Sequence, residues 1–290
     1  MRRIDDVLTG LIKGGAAFTA LLMAFLMAYI VVEGLPVFAV VSPGDFMLGS
    51  EWNPVGTPGE FGILAMILGS FAVSILALCL AMPIGIGCAV YICFCLKERL
   101  ARLALSFIDM LAGVPSVVFG FIGLMIVIKF FEAVFQMPSG ETVLAGGIVL
   151  AVMILPFIIT NCTESLDSAR KRYEASSLDL GVSQWYTVQH IILPCSVRAI
   201  SVSLILAFSR AMGETMAVMM VMGNAPILPQ LLHKGETIPA LIALEMGSAA
   251  YGSTHYHALY AAGLILLVLL VACNLLFYFL RRRFRMEGRS

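Results

Sequence analysis

The chain has 290 residues, of which 60% are hydrophobic and only 12% are charged, and its mean hydropathy is +0.98. No soluble core accounts for such a composition, so it excludes ordinary soluble domains and indicates a polytopic membrane protein. The 18 basic and 18 acidic residues cancel, so the placement of the basic residues is more informative than the net charge.

Six apolar segments reach or approach the roughly 20 residues that a helix needs to cross a bilayer. They predict an all-α protein with six transmembrane helices, at about 14–33, 61–96, 104–130, 142–160, 199–222 and 257–280. The charged start, MRRIDD, resembles the beginning of a signal peptide, but no small-residue cleavage site follows it. The first apolar run is therefore predicted to be a retained helix.

The second apolar segment is too long for a simple span. Its 36 uncharged residues, 61–96, would measure about 54 Å as a helix, against a hydrocarbon core of about 30 Å. One long helix and two shorter spans both fit that length. With one helix and the N-terminus inside, 15 of the 18 basic residues lie on the inner side, as the positive-inside rule requires. We therefore predict one helix, bent near Pro83, Gly85 and Gly87.

These spans divide the chain into a cytoplasmic N-terminus at 1–13, a membrane domain at 14–280 and a basic cytoplasmic C-terminus at 281–290. The seven cysteines are odd in number and form no Cys-x-x-Cys pattern, so no disulfide framework is indicated. His255 and His257 have the spacing of metal ligands, but without further ligands beside them no metal site is predicted.

The longest inner loop, at about 161–198, combines charged residues with an amphipathic pattern. One short helix is predicted to reach a turn at Gly181, and a second helix to run toward Pro194. Three apolar residues of the second helix recur at spacings of three and four and so share one face: Trp185, Val188 and Ile192. The helix pair is predicted either to dock a cytoplasmic partner or to lie on the lipid surface.

The end of this loop resembles the coupling-loop motif of ABC importer permeases. The motif's glycine, its isoleucine nine residues later and its Leu-Pro ending correspond to Gly181, Ile191, Leu193 and Pro194. The front of the motif, Glu-Ala-Ala, departs from the family, because Glu174 stands one position early and Ala175 occupies the glutamate position.

In that family the loop inserts into a groove of a cytoplasmic ATPase. The resemblance therefore implies that 173–194 couples this chain to an ATPase through Glu174, Ala175, Gly181, Trp185, Ile191, Leu193 and Pro194. The chain contains no Gly-x4-Gly-Lys-Ser/Thr phosphate-binding loop, so ATP hydrolysis is assigned to a partner that binds MgATP, and no cofactor to this chain.

Arg210 and Glu214 lie near the middle of the fifth apolar segment, which is otherwise uncharged. An arginine at the centre of a spanning helix costs about 2.5 to 3.5 kcal/mol on insertion scales, so such a pair indicates a functional site. In one continuous helix, the spacing of four places both side chains on the same face. The alternative is a buried pair that fixes helix packing.

Further stretches resemble the permeases of the phosphate-specific importer, of the PstC type, and the resemblance covers roughly residues 50–280. They are Trp52-Asn53-Pro54 with Phe61-Gly62, the run Leu111–Gly120 (LAGVPSVVFG), and Arg210–Val218 (RAMGETMAV) leading to Gly223-Asn224. The resemblance implies the type I ABC importer permease fold. It also implies a substrate path with Arg210, Glu214, Thr215 and Ser116 as candidate residues.

Phosphate carries one to two negative charges, and a guanidinium fork holds two of its oxygens at once. The resemblance implies three kinds of protein partner for a permease in a bacterial inner membrane: a PstA-like permease, two PstB-like ATPases and a PstS-like phosphate-binding protein. Two other functions stay open from the sequence. One is a permease for another oxyanion, such as sulfate or molybdate, and the other is an ATP-independent channel or secondary transporter.

Overall fold

The protein is a bundle of long helices with one small hairpin. The computed structural model describes residues 2–287. Its first half contains α1 (Arg2–Gly34), a 3-10 turn (Leu35–Ala39), α2 (Pro43–Leu48), β1 (Trp52–Asn53), β2 (Glu60–Phe61), α3 (Leu64–Phe94) and α4 (Glu98–Ala112). The second half contains α5 (Ser116–Ile122), a π turn (Gly123–Ile128), α6 (Lys129–Phe135), α7 (Val143–Asp179), α8 (Gln184–Thr187), a second π turn (Val188–Ile192), α9 (Leu193–Met212), α10 (Met216–Val221), α11 (Ile238–Glu245) and α12 (Thr254–Glu287).

Six helical segments in the described chain are long and apolar enough to cross a membrane, which confirms the predicted number of spans. Their bounds are Leu8–Ala39, Leu64–Phe94, Ser116–Phe135, Val143–Asp179, Gln184–Met212 and Thr254–Phe277. Successive spans alternate in direction. One end of the bundle carries the antiparallel strands β1 and β2, and we call it the hairpin end. The other carries the turn at Gly181, and we call it the Gly181 end.

The centre of the bundle is formed by α3, α7 and α9. Small residues let α3 and α7 approach closely, since a Cβ at Gly85 would lie only 2.6 Å from Ile158 Cγ2, and one at Gly147 would clash with Leu76 Cδ2. α3 is a single helix with Pro83 inside it, which confirms one long helix rather than two spans. Glycine-mediated contact is a common way for membrane helices to pack.

The third span differs from the prediction of one helix over 104–130. α4 ends at Ala112, and α5 begins at Ser116. Pro115 disfavours a helical conformation at the residue before it, which explains why the helix stops in an apolar run. The apolar pattern continues across the break and so does not reveal it.

The predicted inner loop at 161–198 also differs in the structure. α7 continues as one helix through Asp179, so the expected first loop helix is the end of the fourth span. After the turn at Gly181, α8 continues through a π turn directly into α9. The predicted C-terminal segment 281–290 ends in residues 288–290, which lie outside the described residues.

Candidate functional site

The span that carries Arg210 is interrupted by a turn. α9 ends at Met212 and α10 begins at Met216, with residues 213–215 between them. The backbone N–H of Glu214 donates to Ala211 O at 3.2 Å and closes the turn. A helix break at this depth is tolerated where the chain is packed in protein or lines a polar path.

The prediction of one continuous helix over 199–222, with Arg210 and Glu214 on a single face, is therefore wrong. Arg210 belongs to the last turn of α9, whereas Glu214 lies in the turn itself. Glu214 Oε1 accepts a bond from the Ala217 backbone N–H at 3.4 Å, which satisfies an otherwise free donor at the start of α10. The glycine that precedes Glu214 weakens the helix at this point.

Arg210 is exposed on the surface of this chain. Among the described residues, none pairs with its guanidinium, and Glu214 is beyond ion-pair distance. Beside it, Ser209 Oγ donates to Asn274 Oδ1 at 2.9 Å and ties α9 to α12. An unpaired charge within a spanning segment faces a water-filled path or another protein surface rather than lipid. The sequence analysis missed Asn274, although a lone amide in an apolar helix is a recognisable signal.

A second helix break lies beside the first. α5 packs against α10 through Gly120, where an added Cβ would lie 3.0 Å from Ala217 Cα and 2.8 Å from Met220 Sδ. The third and fifth spans run in the same direction. Ser116 lies one helical turn before Gly120 on α5, and the turn at 213–215 lies about one helical turn before Ala217 on α10. The structure therefore brings the half-buried Ser116 to the level of Thr215 and Glu214.

The two breaks lie well inside the bundle. The Thr142 backbone N–H donates to Val221 O at 3.2 Å, which sets the end of α10 level with the start of α7. Glu214 precedes Val221 by seven residues, about 10 Å along a helix, and the apolar part of α7 from 143 to 160 measures about 27 Å. Arg210 and Glu214 thus lie near the middle third of the apolar thickness.

At the Gly181 end, the chain reverses through a compact turn. Gly181 has φ +73°, a left-handed conformation that glycine adopts without strain. Its N–H donates to Leu178 O at 2.9 Å, and the Val182 N–H donates to Ser177 O at 3.0 Å, which is the usual way of closing a helix C-terminus. The next helix is capped by Ser183.

Large apolar side chains surround this turn and are exposed. We call the group the Gly181 knob, and its members are Leu178, Leu180, Gly181, Trp185 and Tyr186. Leu180 is 82% exposed and Trp185 is 54% exposed. Ala175 is also exposed. A contiguous exposed apolar patch of this kind is typical of an interaction surface.

The base of the knob is buried. Val188 and Ile192 belong to the central hydrophobic cluster, whereas Trp185 points outward. The predicted shared face is therefore divided: Trp185 is available to a partner, whereas Val188 and Ile192 hold the turn to the bundle. Ile191 and Leu193 are half-buried, and Pro194 lies in the first turn of α9 after the π turn. Proline has no backbone N–H to donate to the preceding turn, and the wider π turn leaves room for its ring.

Glu174 bonds within the chain. Its Oε2 accepts from Arg170 Nε at 2.7 Å, and its Oε1 accepts from Gln184 Nε2 at 3.4 Å. Glu174 was predicted from the sequence to contact the ATPase, and its partners Arg170 and Gln184 were not predicted. The spacing of four between Arg170 and Glu174 was the available signal.

The hairpin end holds a polar cluster that joins β1, α11 and α12. Trp52 Nε1 donates to Glu245 Oε2 at 3.0 Å, and His255 Nε2 lies 2.7 Å from the same carboxylate oxygen. His257 instead bonds to the Glu33 backbone carbonyl at 2.8 Å. The two histidines of the His-x-His spacing therefore bond to different elements, His255 to α11 and His257 to α1.

Glu236 lies next to this cluster and is buried. Burial, reinforced by the nearby charge of Glu245, raises the pKa of Glu236 to about 7 from its ordinary value of 4.5. Between these two pH values the folded protein keeps a proton that the unfolded chain loses. The free energy of unfolding therefore declines as pH rises from about 4.5 to about 7 and then levels off.

Glu236→Gln is expected to remove this decline. At pH 8 the variant should be stabilised by about 3 kcal/mol, which corresponds to a rise in Tm of about 6 °C, whereas at pH 4 its Tm should match the wild type. Thermal unfolding in detergent at both pH values measures the difference. Glu98→Gln, at a side chain that is 88% exposed, serves as the control. An equal shift at both pH values would contradict the assignment.

Comparison with known proteins identifies relatives over most of the chain. Residues 81–286 match the family described as "Binding-protein-dependent transport system inner membrane component". The chain is 34% identical over 286 residues to a probable ABC transporter permease protein, YqgH, of Bacillus subtilis, which covers 97% of this chain and 93% of that protein. It is 31% identical over 296 residues to the phosphate transport system permease protein PstC of Pasteurella multocida, covering 95% and 91%.

A similar relative is the PstC protein of Mesorhizobium japonicum, with 32% identity over 245 residues, 78% of this chain and 74% of that protein. Among solved structures, the fold is similar to an inward-facing form of the MetNI methionine ABC transporter, with a TM-score of 0.60 and 14% identity. That match covers 76% of this chain and 95% of the other. At this identity the likeness shows the fold, which is the predicted ABC importer permease fold.

Proposed function

Because this chain belongs to the family of binding-protein-dependent transport system inner membrane components, we propose that it is the permease subunit that moves inorganic phosphate in an ATP-driven importer. The observation that carries the proposal is the exposed guanidinium of Arg210, which pairs with none of the described residues and lies beside a helix break within a spanning segment. The PstC relatives, which are phosphate permeases by name, support the choice of substrate.

Arg210 faces away from its own chain, so we place the phosphate path between this chain and a second, PstA-like permease. Phosphate would pass Arg210, whose planar fork binds two oxygens and whose charge offsets the anion. Ser116 and Thr215 lie at the same level and supply hydroxyl donors. Glu214 holds the start of α10 by accepting a bond from the Ala217 backbone N–H.

We place the Gly181 end in the cytoplasm and the hairpin end outside, in a bacterial inner membrane with both termini cytoplasmic. The bias of basic residues toward the inner segments supports this orientation. The exposed apolar knob then faces one of two PstB-like ATPases that bind MgATP, and the hairpin end faces a PstS-like binding protein. ATP-driven movement of the knob would switch the path between its two openings.

Uptake by the reconstituted complex tests the substrate. Proteoliposomes containing this chain, its partner permease and the ATPase, supplied with the binding protein, should take up labelled phosphate. Arsenate, which has the same charge and shape, should compete, and a hundredfold excess of sulfate or molybdate should not. Competition by sulfate or molybdate at that excess would indicate an importer for another oxyanion. Uptake that persists without ATP would indicate a channel or secondary transporter.

A further inference from the structure

A chain of polar contacts crosses from α3 to the helix after the Gly181 turn. Arg170 Nη1 donates to the backbone carbonyl of Cys93 at the end of α3. The same guanidinium lies 5.6 Å from the centre of the Phe94 ring and donates through Nε to Glu174. Glu174 in turn accepts from Gln184, the first residue of α8. The side chains of Arg170, Glu174 and Gln184 thereby join three separate helices.

This arrangement uses the particular shape of arginine. The guanidinium has several N–H groups in a fixed plane, so it can bond to a carboxylate and a carbonyl while its face contacts a ring. Lysine has one ammonium group and cannot reproduce all three contacts. The Arg170 and Glu174 side chains are 34% and 26% exposed, so water screens their interaction less than it does on an open helix surface.

The covalent connection here is short and depends on a glycine. Only residues 180–183 separate α7 from α8, and Gly181 among them adopts the left-handed conformation. Without side-chain contacts, a force on the knob would reach the bundle through α7 and through the α8–α9 continuation alone. The contacts of Arg170 add a third route, to the end of α3.

We propose that Arg170 and Glu174 are positioning residues that fasten the Gly181 knob to α3, so that movement of the knob displaces α3 together with α7 and α9. The inference rests on the proposed function, in which an ATPase docks at the knob. It differs from the expectation for Glu174, because both carboxylate oxygens are engaged within this chain rather than by the ATPase.

The contact between Arg170 and α3 matters because of where α3 lies in the bundle. α3 packs along α7 and against α9, the helix that ends beside Arg210. If α3 did not follow the knob, α7 and α9 would slide against it, and closely packed interfaces resist partial movement. If this link is weakened, the ATPase should stay bound and active, but fewer cycles of ATP hydrolysis should open the phosphate path.

The test measures phosphate transported per ATP hydrolysed in proteoliposomes, with ATPase binding measured in parallel. Arg170→Gln and Glu174→Gln should each lower that ratio about fivefold, within the range by which coupling residues change linkage between sites. Because the two side chains act as one unit, the double variant should be no worse than either single variant. ATPase binding should stay within about twofold of the wild type, since neither change touches the knob surface.

A neighbouring ion pair provides a matched control. Lys171 Nζ lies 2.6 Å from Asp167 Oδ2 on the same helix with the same spacing of four. Its side chains are 76% and 45% exposed, and neither bonds to another helix in the described part of the chain. Lys171→Gln should leave the transport ratio unchanged.

The charge-swapped variant Arg170→Glu/Glu174→Arg separates the two possible roles of the pair. It keeps an ion pair along α7, but a carboxylate at 170 cannot donate to the Cys93 carbonyl, so the ratio should stay low. Full recovery in the swap, or an unchanged ratio in both single variants, would overturn the link to α3. Failure of the wild-type chain to bind any ATPase would instead contradict the proposed function itself.

Discussion

Arg210→Gln should reduce phosphate uptake by the assembled complex about a hundredfold. Bonds from a charged donor to an oxyanion contribute about 1.5 to 3 kcal/mol each, and each 1.4 kcal/mol corresponds to about a tenfold change. Glutamine keeps a hydrogen-bonding group but loses the charge and the fork. Arg210→Lys should retain part of the activity, because it keeps the charge and loses only the paired geometry.

Three measurements make that result interpretable. Initial uptake rates, ATPase activity and co-purification of the subunits should be recorded on the same samples, because a variant that fails to assemble also fails to transport. Arg198→Gln removes an exposed arginine from the same helix three turns earlier and should leave uptake within about twofold. Normal uptake by Arg210→Gln, with ATPase activity also normal, would exclude Arg210 from the path.

The alternative explanation of Arg210 and Glu214, a buried pair that fixes helix packing, has a different expectation. In this chain Arg210 is exposed and Glu214 caps α10 instead of pairing with it. Loss of a packing pair would lower stability and assembly along with transport. The path hypothesis requires transport to fall while thermal stability and assembly are retained.

The spans were predictable because each apolar residue adds to the hydrophobicity of its segment. Runs of apolar residues fix the number of helices, and the basic residues distinguish one long α3 from two helices around Pro83. The helix breaks were harder, because residues on both sides of Gly113–Pro115 and of 213–215 are equally apolar. Pro115 offered a local signal, whereas at Gly213 only a glycine marks the end of α9.

The partners of individual polar residues were the least predictable feature. The motif around Gly181 located the turn, and its positive φ explains the glycine. Whether Glu174 faces a partner or its own chain depends on where α3 ends, and Cys93 is distant from it in sequence. Likewise, nothing local to Glu236 indicates burial beside Glu245. Contacts of this kind arise from packing between helices, which the pattern within one helix does not specify.

Leu180→Asp combined with Trp185→Ala should lower the affinity of the permease for its ATPase at least about a hundredfold. An exposed tryptophan side chain that fills a pocket on a partner is a typical hot spot, whose truncation costs about 2 to 4 kcal/mol. An aspartate at position 180 also places an uncompensated charge at the interface. Both positions are exposed, so the fold of the chain should be retained.

Binding of the purified ATPase to the permease in nanodiscs measures this effect. Val55→Asp with Tyr251→Ala is the matched control, because these residues are 88% and 82% exposed at the hairpin end and should not alter ATPase affinity. The other prediction for this segment, an amphipathic helix lying on lipid, gives a separate result. In that case the knob variant would bind the ATPase normally, because Leu180 and Trp185 would contact lipid instead of protein. Loss of ATPase binding in the knob variant alone would therefore establish the Gly181 knob as the docking element, independently of the role of Arg170.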